Sequence, residues 1–260
     1  MTPDFELTAR EFDFVWSHLE LDEMPYPIDV PGNGATMEER ATMRAESFES
    51  LRDKGVLGRD DKVAPALAEL LRVLAEPAVA VDTVGYSGGP IRGLAAADGR
   101  TAALAAMGDD AVAFAAIRPT ALATSIVEVL PPGQAGTGVA IRVPRQTLRK
   151  AAEGEDEDDP FGGGDERDIL MAGGVSDEDA TTLIELADRR VRGGQFGVTT
   201  TGRATSVRQG TRTRADTMIT WFDTNEGRYL AVYDGAWMSV VPADGARIAH
   251  RIDELIRKAR

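Results

Sequence analysis

The sequence predicts an α+β fold with one central antiparallel β-sheet shared by two similar halves. Strands and helices occur in separate blocks along the chain, which is typical of this class. One layout also occurs twice. A Gly-Arg turn (Gly99-Arg100, Gly227-Arg228) precedes an apolar strand, a glycine-containing turn, a second strand, a proline (Pro119, Pro242) and an amphipathic helix. This repetition predicts halves related by a pseudo-two-fold axis, which favours a binding platform over an enzyme with one asymmetric cleft.

The helices that end the two halves have the same apolar spacing. The first carries Leu122, Ile126, Val129 and Leu130, and the second carries Ile248, Ile252, Leu255 and Ile256. Both sets fall at i, i+4, i+7 and i+8, on one face of an α-helix. A chance match between two common meanders is the alternative, but the agreement in order, turn positions and helix spacing favours duplication.

Three helices are predicted before the first strands. Thr8-Ala-Arg-Glu11 and Thr36-Met-Glu-Glu39 are capping boxes, in which a hydroxyl and a carboxylate satisfy the free amides of a helix start. A third helix carries an apolar face of leucines between residues 67 and 74. Prolines bracket residues 26–30, which predicts an extended segment at a sheet edge.

The remaining elements follow in two groups. Strands are predicted at roughly 78–86, 91–98, 101–107 and 111–117, then a helix to about 131, a capped helix from Ser176, strands within 195–241 and a last helix at roughly 243–259. We expect a single domain over residues 1–260. Its first half covers about 7–131, a connector about 132–175, and its second half about 176–260.

Two stretches have unusual charge. The connector contains an acidic loop at 153–166, where consecutive acids and a run of three glycines at 162–164 predict mobility. A calcium loop is the weaker alternative, because the acids do not alternate and the turn glycine is missing. Between residues 189 and 215 there is no acid, and seven arginines occur: Arg189, Arg190, Arg192, Arg203, Arg208, Arg212 and Arg214. Interspersed threonines and glycines predict a long polar hairpin at 199–214.

Composition and motifs argue against catalysis. The net charge of -14 opposes general nucleic-acid binding, and the absence of cysteine excludes thiol chemistry. The chain lacks a nucleophile elbow, a phosphate loop and a metalloprotease His pair. We therefore expect a non-enzymatic protein without catalytic residues, cofactor or metal. No stretch approaches the ~20 apolar residues of a membrane helix, and the acidic first six residues lack the basic and then apolar pattern of a signal peptide. We therefore expect a cytoplasmic protein without membrane insertion.

The C-terminal strands are the most aromatic part of the chain. Trp221, Phe222, Tyr229, Tyr233 and Trp237 lie within 17 positions. Strand alternation places Tyr229 and Tyr233 on one face of the sheet, opposite to their immediate neighbours in sequence. One face must pack on helices, and the other either belongs to the core as well or forms an exposed aromatic platform of the kind that interfaces favour.

Two groups of residues carry a resemblance to a known family. The first is Leu7-Thr-x-x-Glu-Phe, Val15-Trp16, Met24-Pro-Tyr-Pro and Gly34-x-Thr-x-Glu-Glu-Arg40, and the second is Arg192-Gly-Gly-Gln-Phe-Gly, Trp221-Phe-Asp-Thr-x-x-Gly-Arg-Tyr229 and Val241-Pro-Ala-Asp244. In order and spacing they resemble the EspG family, the chaperones associated with ESX (type VII) secretion in actinobacteria. The resemblance covers nearly the whole chain, apart from the acidic insert and the arginine-rich hairpin.

The resemblance implies a cytosolic adaptor with two helical bundles beside the sheet and internal pseudo-two-fold symmetry. Family members bind the tip of the PPE subunit in PE–PPE heterodimers, keep it soluble and target it to the secretion system. Their contact uses the central sheet, the C-terminal helical bundle and the loop between the second and third strands. If residues 26–30 are the first strand, that loop is 85–90, and Ser87, Gly88 and Gly89 become candidate contacts.

We expect an apolar pair at the partner's tip to enter a groove between the C-terminal sheet and the last helix. The candidate groove residues are Trp221, Tyr229, Tyr233 and Trp237, and the candidate rim residues are Arg203, Arg208, Arg212 and Arg214. Burying two apolar side chains would contribute roughly 3–6 kcal/mol before ordering costs. The alternative is a regulatory or nucleic-acid-binding protein that uses the arginine-rich hairpin at 189–214. A weak homodimer is left open.

Overall fold

The computed structural model describes residues 2–153, 166–202 and 210–259. Strands in these ranges form one sheet in which every pairing is antiparallel. They are β1 (Phe5–Thr8), β2 (Val79–Tyr86), β3 (Pro90–Ala97), β4 (Ala102–Met107), β5 (Ala111–Ile117), β6 (Ile141–Pro144), β7 (Arg192–Thr201), β8 (Arg212–Arg214), β9 (Ile219–Thr224), β10 (Gly227–Asp234) and β11 (Trp237–Pro242). The prediction of an α+β fold with a central antiparallel sheet is confirmed.

The helices occur in blocks before and after the strands. They are α1 (Ala9–His18), α2 (Met37–Asp53), α3 (Pro65–Ala75), α4 (Leu122–Val127), α5 (Arg145–Glu153), α6 (Glu166–Ala172), α7 (Asp177–Asp188) and α8 (Gly245–Ala259). The capping box at the start of α1 is confirmed, because the Thr8 hydroxyl accepts from the Glu11 N–H while the Glu11 carboxylate accepts from the Thr8 N–H. Within the described ranges, no helix combines the length and apolar character that a bilayer crossing requires.

The strand order is the same when it is followed outward from the centre in either direction. The sheet runs β1-β5-β4-β3-β2-β7-β9-β10-β11-β6, with β8 paired to the far end of β7. In the described ranges, each half begins with its edge strand, continues through three helices and a meander, and ends with a helix (α4 or α8). The two halves therefore share one topology, while their origin by duplication stays a prediction.

Three groups of buried side chains hold these layers together. The first joins α1–α3 to β3–β5, the second joins α4 and α8 to the middle of the sheet, and the third joins α5–α7 to β10, β11 and β6. The predicted apolar faces of α4 and α8 both lie in the second group. Since strand residues alternate between faces, the first and third groups lie on one face of the sheet, called here the bundle face, and the second lies on the α4/α8 face.

Two sequence-based assignments differ from the structure. Residues 26–30 form no strand: the N–H of Ile28 closes a turn onto the Pro25 carbonyl, and the Ile28 side chain is fully buried beneath the first bundle. Prolines 25, 27 and 31 bring no N–H that could join a ladder, and β1 is the first strand instead. The connector at 132–175 contributes β6 and two helices to the second half, because Ile141 and Val143 bury against β11. Most of the predicted acidic loop (154–165) lies outside the described residues.

Candidate partner-binding surface

In the part of the chain that the structure describes, the two central strands, β2 and β7, are fully covered on one face only. On the α4/α8 face, Val81 and Phe196 are fully buried. On the bundle face, Val84 is half-buried, Gln195 is exposed and Tyr86 is 60% exposed. The α1–α3 and α5–α7 bundles thus leave a strip of sheet uncovered between them. We call this strip, with Thr220 and Phe222 of β9 beside it, the open seam.

One end of the open seam is formed by the β2–β3 loop, Ser87 to Gly89. The Ser87 N–H donates to the Gly89 carbonyl over 2.9 Å, and Gly88 has a φ of +73°, which favours glycine. The sequence analysis selected this same loop as the connection between the second and third strands, although it counted residues 26–30, and not β1, as the first strand. Its candidate residues therefore do lie at the edge of the open seam.

An ion pair closes the other end of the open seam. Two nitrogens of the Arg214 guanidinium donate to the two Asp82 carboxylate oxygens over 2.7 and 2.8 Å. The side chain crosses β7 above Gly197, where a Cβ atom would lie 2.0 Å from an Arg214 nitrogen. This hydrogen bonding to Asp82 raises the pKa of the Arg214 guanidinium. Nearby, Arg212 donates to the Ala75 carbonyl at the end of α3.

Two other arginines of the basic stretch also have internal partners. Arg189 forms ion pairs with Glu185 and Glu226, and Arg192 pairs with Asp223. Arg203 and Arg208, both predicted as rim residues, lie outside the described residues. Carboxylates of neighbouring strands and helices balance the charges of the arginines that pair with them, which leaves little support for a nucleic-acid-binding hairpin.

The four aromatic candidates do not share one groove. Trp221 is fully buried on the α4/α8 face, with the Arg228 guanidinium 4.9 Å from its ring centre, so it belongs to the core. Tyr229 is also buried, on the bundle face: its ring stacks on Phe222, and its hydroxyl donates to the Thr137 carbonyl over 3.1 Å. These two residues are therefore not available to a partner in this structure.

Tyr233 and Trp237 are more accessible but lie on opposite faces. Tyr233 is half-buried on the bundle face beneath Arg145, and Trp237 is 42% exposed on the α4/α8 face beneath Arg142. The sequence analysis placed both in one groove, but Tyr233 pairs with Met238 across the turn, and strand alternation puts Trp237 on the other face. Only Trp237 shares a face with the predicted groove.

A groove does lie between the C-terminal strands and α8. It has a volume of about 300 Å³, with an apolar floor that includes Leu230 and Val232 and a charged wall that includes Arg247 and Arg251. It lies on the α4/α8 face and is thus separated by the sheet from the open seam. The molecule offers two alternative surfaces to a partner, and the aromatic residues do not decide between them.

Sequence reasoning missed the strand residues of the open seam. A signal was present in β2, where Asp82 and Thr83 interrupt an otherwise apolar strand. Asp82 is only 4% exposed, and such a carboxylate needs a partner. Its partner, Arg214, is distant in sequence, so the pattern alone could not show which face of β2 lacked a helix.

A buried ion network stabilises the sheet beside the β2–β3 loop. Arg228 donates two hydrogen bonds to Asp223, over 2.7 and 2.9 Å, and Arg192 donates a third over 2.6 Å. The same two arginines bind the carbonyls of Pro131 and Pro132. Burial raises the pKa of Asp223, but the hydrogen bonds from Arg228 and Arg192 outweigh burial and hold this pKa below its ordinary value.

Comparisons with known proteins agree with this architecture. A family model described as the EspG family matches residues 8–254. A search of curated protein sequences finds no match. Among solved structures, the fold is similar to that of the Mycobacterium tuberculosis type VII secretion system chaperone EspG5, determined in complex with a PE25–PPE41 dimer. The TM-score is 0.74 at 13% sequence identity, and the match covers 97% of this chain and 95% of that chain. At this identity the likeness shows the fold alone.

Proposed function

Because the chain belongs to the EspG family, we propose that it is a chaperone that binds the PPE subunit of a PE–PPE-type heterodimer and targets the complex to a type VII secretion system. The protein acts by binding rather than by catalysis, and it works in the cytoplasm, before export. The similar solved structure, a chaperone bound to a PE25–PPE41 dimer, supports this choice of partner.

The open seam is the observation that carries the proposal. An apolar sheet face is normally covered by another element or by a partner, because removing apolar side chains from water lowers the free energy. Here Val84 and Tyr86 remain accessible between two bundles, beside the β2–β3 loop. The family resemblance implies contact through the central sheet, this loop and the C-terminal bundle, and these three elements meet at the open seam.

The test is co-expression with PE–PPE-type pairs encoded in the same genome, followed by size-exclusion chromatography and measurement of the dissociation constant. Three single substitutions to aspartate separate the possible surfaces. Tyr86→Asp lies in the open seam, Trp237→Asp lies on the α4/α8 face beside the groove, and Met37→Asp, at an 85% exposed position on α2, is the matched control.

We expect a 1:1:1 complex with the wild-type chain, at least tenfold weaker binding by Tyr86→Asp, and unchanged binding by Trp237→Asp and Met37→Asp. If Trp237→Asp is the one variant that loses binding, the contact lies in the groove beside α8 and not in the open seam. The absence of any complex between the folded wild-type chain and these pairs would contradict the proposed function.

A further inference from the structure

Arg214 is held in a fixed position at the closed end of the open seam. Both Asp82 oxygens accept from it, and Asp82 itself is buried in the central strand. Gly197 leaves room for the guanidinium to lie flat across β7. Despite this anchoring, the Arg214 side chain is 43% exposed. A side chain that is both immobilised and accessible loses little conformational entropy when it binds a partner.

The anchored guanidinium keeps unused hydrogen-bond donors. An arginine has five N–H groups, and the two bonds to Asp82 use one on each terminal nitrogen. Three N–H groups make no hydrogen bond to the residues that the structure describes. The Tyr26 side chain, 59% exposed, also interacts with Arg214 electrostatically and makes the smallest contribution to its raised pKa.

The charge of the ion pair indicates which acceptor fits. Arg214 and Asp82 together are neutral, within a chain whose net charge is -14. A second carboxylate at this point would bring an uncompensated negative charge next to Asp82. An uncharged acceptor avoids this repulsion, and backbone carbonyls at turns and helix ends are the commonest uncharged acceptors without a partner.

We infer that Arg214 binds backbone carbonyl oxygens at a turn or helix end of the partner segment in the open seam, and that Asp82 is the positioning residue that holds it there. This inference rests on the proposed function and adds to it the chemistry of one contact. It gives the seam two unlike ends: an apolar end at Val84 and Tyr86 and a hydrogen-bonding end at Arg214.

The experiment measures the dissociation constant of the chaperone and its cognate PE–PPE-type heterodimer, using full-length variants whose folding is checked by circular dichroism. Arg214→Gln removes the guanidinium, Arg214→Lys keeps the charge without the fork of donors, and Asp82→Asn removes the anchor. Arg100→Gln is the matched control, since Arg100 is an exposed arginine on the β3–β4 turn.

We expect about tenfold weaker binding by Arg214→Gln, incomplete rescue by Arg214→Lys, weaker binding by Asp82→Asn although Arg214 is intact, and no change by Arg100→Gln. Since the acceptor is uncharged, the loss should be the same at 50 mM and 500 mM salt. A purely structural role would lower the melting temperature and leave the dissociation constant of the folded variants unchanged, which would overturn the inference.

Two other results have distinct meanings. If the loss caused by Arg214→Gln disappears at high salt, Arg214 contacts a carboxylate and the assignment to carbonyl groups is wrong. If the wild-type chain binds no such heterodimer, the proposed function fails and this inference fails with it. If the wild-type chain and Arg214→Gln bind equally well, only the inference fails.

Discussion

The two Gly-Arg pairs of the sheet both begin with a glycine of positive φ but differ in how their arginines are used. Gly99 and Gly227 have φ angles of +102° and +133°, in the region that favours glycine. In the first half, Arg100 is exposed, and the turn is closed by Asp98, which accepts from the N–H groups of Arg100 and Thr101. In the second half, the Arg228 side chain is 2% exposed and binds a buried carboxylate.

The difference arises from the chain that passes over each turn. Residues 131–136 cross the second turn, where the Arg228 N–H donates to the Gln134 carbonyl and the Gly136 N–H donates to the Arg228 carbonyl. At the matching end of the first half, a cavity of about 590 Å³ remains beside Gly99. One topology thus provides a sheet end that residues 131–136 cover, next to the β2–β3 loop, and an opposite end that has an open pocket beside Gly99.

The largest expected effect comes from removing the buried arginine. Arg228→Met keeps much of the side-chain volume but leaves Asp223 with Arg192 as its one remaining cationic partner among the described residues. Breaking a buried ion pair on one side typically costs about 3 kcal/mol or more, and we expect a loss of this size in the free energy of unfolding. Urea denaturation measures it.

The control is Arg100→Met in the matching turn of the first half. Because Arg100 is exposed, we expect its substitution to change the free energy of unfolding by less than about 0.5 kcal/mol. Equal effects of the two substitutions would show that burial does not distinguish the turns.

The pH dependence of the Arg228→Met effect is a second prediction. The pKa of Asp223 lies below its ordinary value of 3.8 in the folded protein. The stability that this pairing contributes is therefore fully present above the unfolded-state pKa and is lost as the pH falls through the folded-state pKa. The difference between wild type and Arg228→Met should be largest near pH 7 and shrink below about pH 4. A difference that grows on acidification would contradict this assignment.

Local patterns in the sequence were enough to predict the repeated elements. The capping box at Thr8, the glycine turns and the apolar spacing of α4 and α8 depend on residues within a few positions of one another, whereas the second predicted box is incomplete, because Glu39 accepts from the Ala35 N–H and not from the Thr36 N–H. Strand alternation likewise placed Tyr229 and Leu230 on opposite faces, as the second and third buried groups show. These features are set by backbone geometry, which neighbouring residues determine.

The use of each side chain depended on distant residues and could not be predicted in the same way. Arg228 is buried because of carbonyl groups nearly a hundred positions earlier, and Tyr229 is covered by Thr137. Arg214, expected at the rim of a groove beside α8, pairs with Asp82 on the other face of the sheet. The candidate site was therefore predicted as a region, with the β2–β3 loop correctly selected, but not as a set of exposed residues.

The smallest expected effect comes from a pair of glycine substitutions. They compare two connections that occupy corresponding places in the two halves, the short β2–β3 loop and the long β7–β9 connection. Gly197→Ala would place a Cβ atom 2.0 Å from an Arg214 nitrogen and 3.0 Å from an Asp82 oxygen. Arg214 must then move, which leaves a buried carboxylate with weaker hydrogen bonds, and we expect a loss of about 1–2 kcal/mol.

Gly89→Ala is the matched substitution in the short loop, where a Cβ atom would have no neighbour within 4 Å. Alanine restricts the unfolded chain more than glycine does. Replacing a glycine of ordinary conformation therefore raises the free energy of unfolding by about 0.4–1 kcal/mol. Opposite signs in thermal denaturation would show that the β7–β9 connection is fixed by a side-chain contact across the seam and the β2–β3 loop by its backbone alone. If Gly197→Ala instead stabilises the protein as Gly89→Ala does, Arg214 does not need to lie across β7, and the closed end of the seam is not built by this ion pair.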